Sequence, residues 1–132
     1  RFMININKLD SVSFFVGKNF LALLFLFSGI GKALNFSEFL ELLILKNVPF
    51  AFFSLSMCIL LQIIFASLLI VNKYIRLSSL MLFVVTILIN IFMHDFWNFS
   101  GDPSQAHETQ NFIKNLGIAA GFLILATKEK IN

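Results

Sequence analysis

His94-Asp95-Phe96-Trp97 closes an uncharged run, residues 77–93, just before the one loop rich in polar residues, 98–108. Titratable side chains at the edge of so apolar a segment are costly unless paired or wetted, so they tend to mark sites. His94 can donate a hydrogen bond and titrate near neutral pH. Asp95 can orient it or pass a proton to outer water, as general acid–base pairs do. Phe96 or Trp97 offers a ring face for stacking. Two distant lysines, Lys32 and Lys114, add donors able to hold an anion. The simpler reading is a helix end where His94 and Asp95 meet water and Trp97 anchors a membrane interface.

The elements that must position these groups follow from composition. The chain has 132 residues, 58% of them hydrophobic, with 18 Phe and only 13% charged. A soluble domain this small has too high a surface-to-volume ratio to hide so much apolar area. Lipid is the better solvent for it. The net charge of +3 comes from lysines and arginines scattered singly, so no nucleic acid is expected as a partner. The partners expected are membrane lipids and other membrane-protein subunits. The one cysteine, Cys58, allows neither an internal disulfide nor a Cys-x-x-Cys redox centre. No Gly-x-Gly-x-x-Gly loop is present, and no covalent cofactor is expected. Both histidines, His94 and His107, fall in one outer segment, which disfavours a haem held between facing ligands. His94, Asp95, His107 and Glu108 flank a loop at irregular spacing, so no metal is expected.

Spans are expected at about 13–31, 48–71, 77–93 and 109–127. A crossing needs about 20 residues. The uncharged part of the first, 19–31, has only 13, so Lys18 is expected to snorkel to the surface. A cleaved signal peptide is the weaker alternative, because Lys32 follows directly where a small-x-small cleavage site would stand. The chain opens on Arg1, so its natural start is expected to differ. Ser28, Gly31 and Lys32 share one helix face, and small residues there allow close helix approach.

Residues 35–46 read as a short amphipathic helix on the interface, with Phe36, Phe39, Leu40 and Leu43 on the apolar side and Ser37, Glu38 and Glu41 opposite. Asn35 with Glu38 suggests a capping box. Asn47-Val48-Pro49 ends it, Pro49 suiting the first turn of the next helix. Ser54, Cys58, Gln62 and Ala66 recur every four residues, placing Gln62 near mid-membrane as a hydrogen-bonding contact to another helix. Thr86, Asn90, His94 and Trp97 step by four, four and three along one face, each four-residue step rising about 6 Å. In the last span Asn111, Lys114 and Asn115 share a face, and Gly117-x-x-x-Gly121 offers a packing groove.

The fold expected is therefore all-α: an integral membrane four-helix bundle with a short interfacial amphipathic helix between spans one and two, forming a single domain over 1–132. Four spans put Arg1, Lys8, Lys18, Lys73, Arg76, Lys128 and Lys130 on one side and Lys32, Lys46 and Lys114 on the other. The positive-inside rule then expects both termini in the cytoplasm. On the outer side Lys32, Asn90, His94, Asp95, Trp97, Lys114 and Asn115 would converge on one ligand pocket.

Ser28-Gly-Ile-Gly-Lys32 with Asn35-Phe36, then Lys46-Asn-Val-Pro49, Tyr74-Ile-Arg76, His94-Asp-Phe-Trp97, and Phe112-Ile-Lys-Asn-Leu116 with Gly121 resemble, in order over about 16–126, the DoxX family of small bacterial membrane proteins. The resemblance implies a four-helix protein of the bacterial inner membrane. It also implies a link to quinone-dependent sulfur oxidation, as in the small subunit of thiosulfate:quinone oxidoreductase, or to membrane complexes that handle oxidative stress. One departure stands out: the family often shows a glutamate in the middle of its second span, where this chain has Gln62. An amide cannot exchange a proton near neutral pH. The expectation is a subunit of a membrane oxidoreductase binding quinone or a small anion at its outer face. The alternative is a purely structural assembly subunit; a lipid or solute carrier would need a through-path.

Overall fold

The structure, a computed structural model, describes residues 6–127. Arg1, Lys128 and Lys130, which enter the charge tally above, lie outside them. Among the described residues the elements are α1 (Ile6–Leu34), α2 (Phe36–Leu45), α3 (Ala51–Ile70), α4 (Ile75–Met93), a 3-10 turn (Phe96–Phe99) and α5 (Gln105–Ala126), with no strand. Three stretches among the described residues are long and apolar enough to cross a membrane: Asn7–Leu34, Ala51–Ile70 and Ile75–Phe99. Large apolar side chains such as Phe15, Phe20, Phe27 and Ile124 stand exposed along the helices, as suits a multi-pass membrane protein whose outer surface meets acyl chains.

α1 packs along α3, α3 on α4 and α4 on α5, while α5 touches α1 more sparsely. The main core joins Ala22 and Phe25 of α1 to Ala66 and Leu69 of α3, Leu82 and Val85 of α4, and Phe122 and Leu125 of α5. Phe25 and Phe122 meet edge to face with centroids 5.0 Å apart. A second core sets Leu43 of α2, with Phe36, Phe39 and Leu40, on Leu55 and Ile59 of α3.

The helix ends differ from the sequence reading for local reasons. α1 is longer than 13–31 because nothing before Ser13 breaks it. The capping box at Asn35 does not form; its side chain donates 3.0 Å back to the Gly31 carbonyl and so closes α1 instead. α2 and α3 stop in the same manner. Asn47 (φ 59°) and Asn72 (φ 62°) turn left-handed, a conformation asparagine tolerates. The next amides, Val48 and Lys73, then reach back to the carbonyls of Leu43 and Leu68. α3 begins at Ala51, not at 48, since Phe50 is itself left-handed. Pro49 stays outside the helix, its carbonyl accepting the Ser54 hydroxyl at 2.7 Å. α4 likewise starts at Ile75 behind left-handed Tyr74, and α5 at Gln105, behind a turn where Asp102 accepts the Ser104 amide at 2.7 Å.

Lys18 does not snorkel. It is 2% exposed, and its ammonium donates to the Leu69 carbonyl at 2.6 Å and to Asn19 Oδ1 at 3.2 Å. The last carbonyls of a helix lack intrahelical partners and carry partial negative charge, so the C-terminus of α3 offers this cation a nearer acceptor than the membrane surface. The close approach of α1 to α3 is at Gly29, not Gly31. A Cβ on Gly29 would stand 2.9 Å from Ile63 Cγ1 and 3.2 Å from Gln62 Cβ, whereas Gly31 has nothing within 4 Å. In α5, Gly121 faces Leu21 at 3.3 Å, but Gly117 faces open space.

Candidate functional site

Two polar clusters bracket an apolar cavity at one end of the helices. The outer cluster forms because α2 ends at Leu45, just before Lys46, α4 ends at Met93, and α5 begins within reach of both. Lys46 Nζ lies 3.0 Å from Asp95 Oδ1 and 3.4 Å from Glu108 Oε2. Glu108 Oε1 lies 3.1 Å from His94 Nδ1. Asn98 donates to the other Asp95 oxygen at 2.8 Å. The Lys46 ammonium also sits over the Phe99 ring, 4.6 Å from its centroid. Burial alone would push the Glu108 carboxyl up. Its hydrogen bond and charge contact with His94, together with the Lys46 ammonium, outweigh that and hold it below the usual carboxylate range.

The inner cluster lies at the α1–α3 contact. Lys32 Nζ donates to Ser28 Oγ at 2.6 Å and to Gln62 Oε1 at 3.2 Å. The Gln62 amide nitrogen faces the same serine at 3.5 Å. Ser28 and Lys32 are one turn apart on α1, and Gln62 is buried on the facing side of α3, so the three meet where Gly29 lets the helices close. The Phe39 ring of α2 covers the ammonium at 5.6 Å.

Between the clusters is a cavity of about 520 Å³, within the range of small-molecule sites. α2 contributes Phe39, Leu42 and Leu43; α3 contributes Phe53, Met57, Cys58 and Leu61; α4 contributes Leu88, Phe92 and Met93. Lys32 and His94 also line it. Phe53, Met57, Leu42 and Leu88, which line it, are exposed on the helix surface, so the cavity opens sideways between the helices. The arrangement can hold a flat or chain-like apolar body with donors for a polar head.

The sequence-derived pocket is thus partly gathered. Lys32 and His94 share the cavity, and Asp95 stands beside His94 in the ion-pair cluster. Asn90 is 1% exposed and donates to the Phe112 carbonyl at 2.9 Å, tying α4 to α5. Thr86 bonds its own helix at Leu82. Trp97 lies past the end of α4, half exposed, and packs edge to face with Phe96 and Phe112. Lys114 is exposed on α5 and Asn115 is half buried; neither lines the cavity. His107 pairs with Asn111 at 3.2 Å. Among the described residues no group of three or more His, Cys, Asp and Glu could hold a metal ion. Sequence reasoning passed over Lys46 as a site residue. Its only signal is its position, a cation just past the last turn of α2.

The family model described as DoxX matches residues 14–95, from early α1 through Asp95. No curated protein and no solved structure matches.

Proposed function

The chain belongs to the DoxX family, and from that premise we propose that it is a ligand-binding membrane subunit of an oxidoreductase system. Its ligand on this reading is a lipid-soluble quinone-type ring taken into the cavity between α2, α3 and α4. One observation carries the reading: an apolar cavity of about 520 Å³ has hydrogen-bond donors on Lys32 and on His94. A ring with carbonyl oxygens needs such donors and apolar walls. The His94–Glu108 pair at the rim would serve proton exchange with water.

On this reading α1, α3, α4 and α5 cross the bacterial inner membrane and α2 lies at the interface. α5 is the least apolar, with Gln110, Asn111, Lys114 and Asn115 in its first half, and its long contact with α4 supports it as the fourth span. Lys8, Lys18, Lys73 and Arg76 then share the side of the termini, which favours cytoplasmic termini.

A second reading is a structural subunit. It draws on the outer cluster, where one lysine ties the end of α2 to the end of α4 and the start of α5, a lock that needs no ligand. Extraction of the purified full chain with organic solvent separates the two. The ligand reading expects co-purified quinone, reduced about tenfold or more in Lys32→Met and His94→Ala, the scale of one lost hydrogen bond to a charged donor, with helical content retained. Lys114→Ala, outside the cavity, should leave it unchanged. Quinone-free extracts, together with variants that keep full turnover of the native assembly, would leave the structural reading.

A further inference from the structure

Lys32 is a cation set into an apolar cavity with neutral partners only. Ser28 and Gln62 accept two of its three N–H donors, and the Phe39 ring face adds a weak third contact. Among the described residues no carboxylate stands within ion-pair distance of it. Asp95 and Glu108 are engaged by Lys46 and His94 at the rim, and Glu38 and Glu41 are exposed on the far side of α2. The residue that faces Lys32 across the helix contact is Gln62, an uncharged amide. Cations withdrawn from water in this way are ordinarily matched by an opposite charge, because desolvation is costly without one.

The cavity itself points to where that charge would come from. Its rim residues Phe53, Met57 and Leu88 lie on two membrane-spanning helices and face outward. A ligand entering there arrives from the bilayer with an apolar body. We infer that this ligand is an amphiphile with an anionic head, of the long-chain carboxylate class, whose charge is received by Lys32 while its chain lies along Phe53, Leu88 and Phe92. The inference rests on the cavity reading above but not on the ligand being a quinone.

The test uses the full chain in bilayers of zwitterionic lipid, with a spin-labelled long-chain carboxylate and its methyl ester as probes. The carboxylate is expected to bind about tenfold or more tightly than the ester, a difference of about 1.4 kcal/mol. Lys32→Met should erase that preference and Lys32→Arg should keep it. Gln62→Glu offers an independent arm: an acidic partner 3.2 Å from the ammonium supplies an internal counter-charge, so the preference should fall although Lys32 remains. Lys114→Met should change nothing. Equal binding of the two probes, or a preference that survives both Lys32→Met and Gln62→Glu, overturns the inference. A neutral quinone analogue added as competitor keeps the two proposals apart. If it binds without any charge preference at the site, the quinone reading stands and this one falls. If the carboxylate binds and the quinone analogue does not compete, the reverse holds. If neither probe nor competitor binds, both fall.

Discussion

Lys46 Nζ and Asp95 Oδ1 meet at 3.0 Å although 49 residues separate them in the chain. The same ammonium reaches Glu108 at 3.4 Å, so one cation joins the end of α2 to the end of α4 and the start of α5. Each of the three side chains is about 15% exposed, between a solvated surface pair and a fully buried one. Lys46→Met would leave two carboxylates without their shared cation. The expected loss of stability is about 1–3 kcal/mol, between the surface and buried extremes. A double-mutant cycle with Asp95→Asn, read by reversible unfolding in mixed micelles, checks it; a coupling energy near zero would mean the contact is incidental.

Glu108 makes that stability depend on pH. Its carboxyl is held below the ordinary range, which centres near 4.3 for glutamate. The unfolded state therefore takes up its proton first as the solution is acidified. The stabilisation is fully present above the unfolded value and drains away as pH falls through the lower folded value. Melting temperatures of the native chain and of Glu108→Gln should converge on acidification through that window. A constant gap across it would show that the carboxylate charge contributes nothing.

Lys18 carries a separate expectation. Lys18→Met keeps much of its volume but leaves the Leu69 carbonyl without the 2.6 Å donor; a loss of about 1–2 kcal/mol is expected, typical of a buried hydrogen-bond group stripped of one partner. Lys18→Glu should be far worse, because a carboxylate would then face a carbonyl oxygen. Hydrogen exchange at the end of α3 should quicken in both. Unchanged protection there would return Lys18 to the membrane surface.

The two neighbouring glycines of α1 should respond oppositely. Alanine normally favours a helix by about 1 kcal/mol over glycine, and Gly31→Ala, with nothing within 4 Å, should keep that gain. Gly29→Ala would push against Ile63 at 2.9 Å and, less forgivingly, against Gln62 Cβ at 3.2 Å. Overpacking of this kind costs about 1–3 kcal/mol, so a net loss is expected, with a looser Lys32–Gln62 contact. Thermal melts of the pair decide it; equal shifts would remove the close approach.

Helix order and the Asn47-marked end of α2 were legible, because each depends on neighbours in the chain. The pairing of distant groups was not. About 100° of rotation per residue separates adjacent positions on a helix, so Gly29 and Gly31 look alike in a small-residue stretch, yet only one faces α3. The same uncertainty of facing let Lys114 be grouped with Lys32, although its side of α5 is exposed. The snorkelling expected of Lys18 assumes that only lipid surrounds it, and the carbonyl end of α3 is a tertiary fact. Lys46 has no periodic partner in sequence and becomes visible only when α4 ends and α5 begins beside it.

On the proposed ligand-binding reading, the sideways mouth framed by Phe53, Met57 and Leu88 sets the units in which occupancy is counted. A guest that comes and goes through acyl chains equilibrates with its mole fraction in the leaflet, not with its molarity in buffer. Diluting the aqueous phase would barely empty such a chamber, whereas swelling the lipid or detergent pool would drain it.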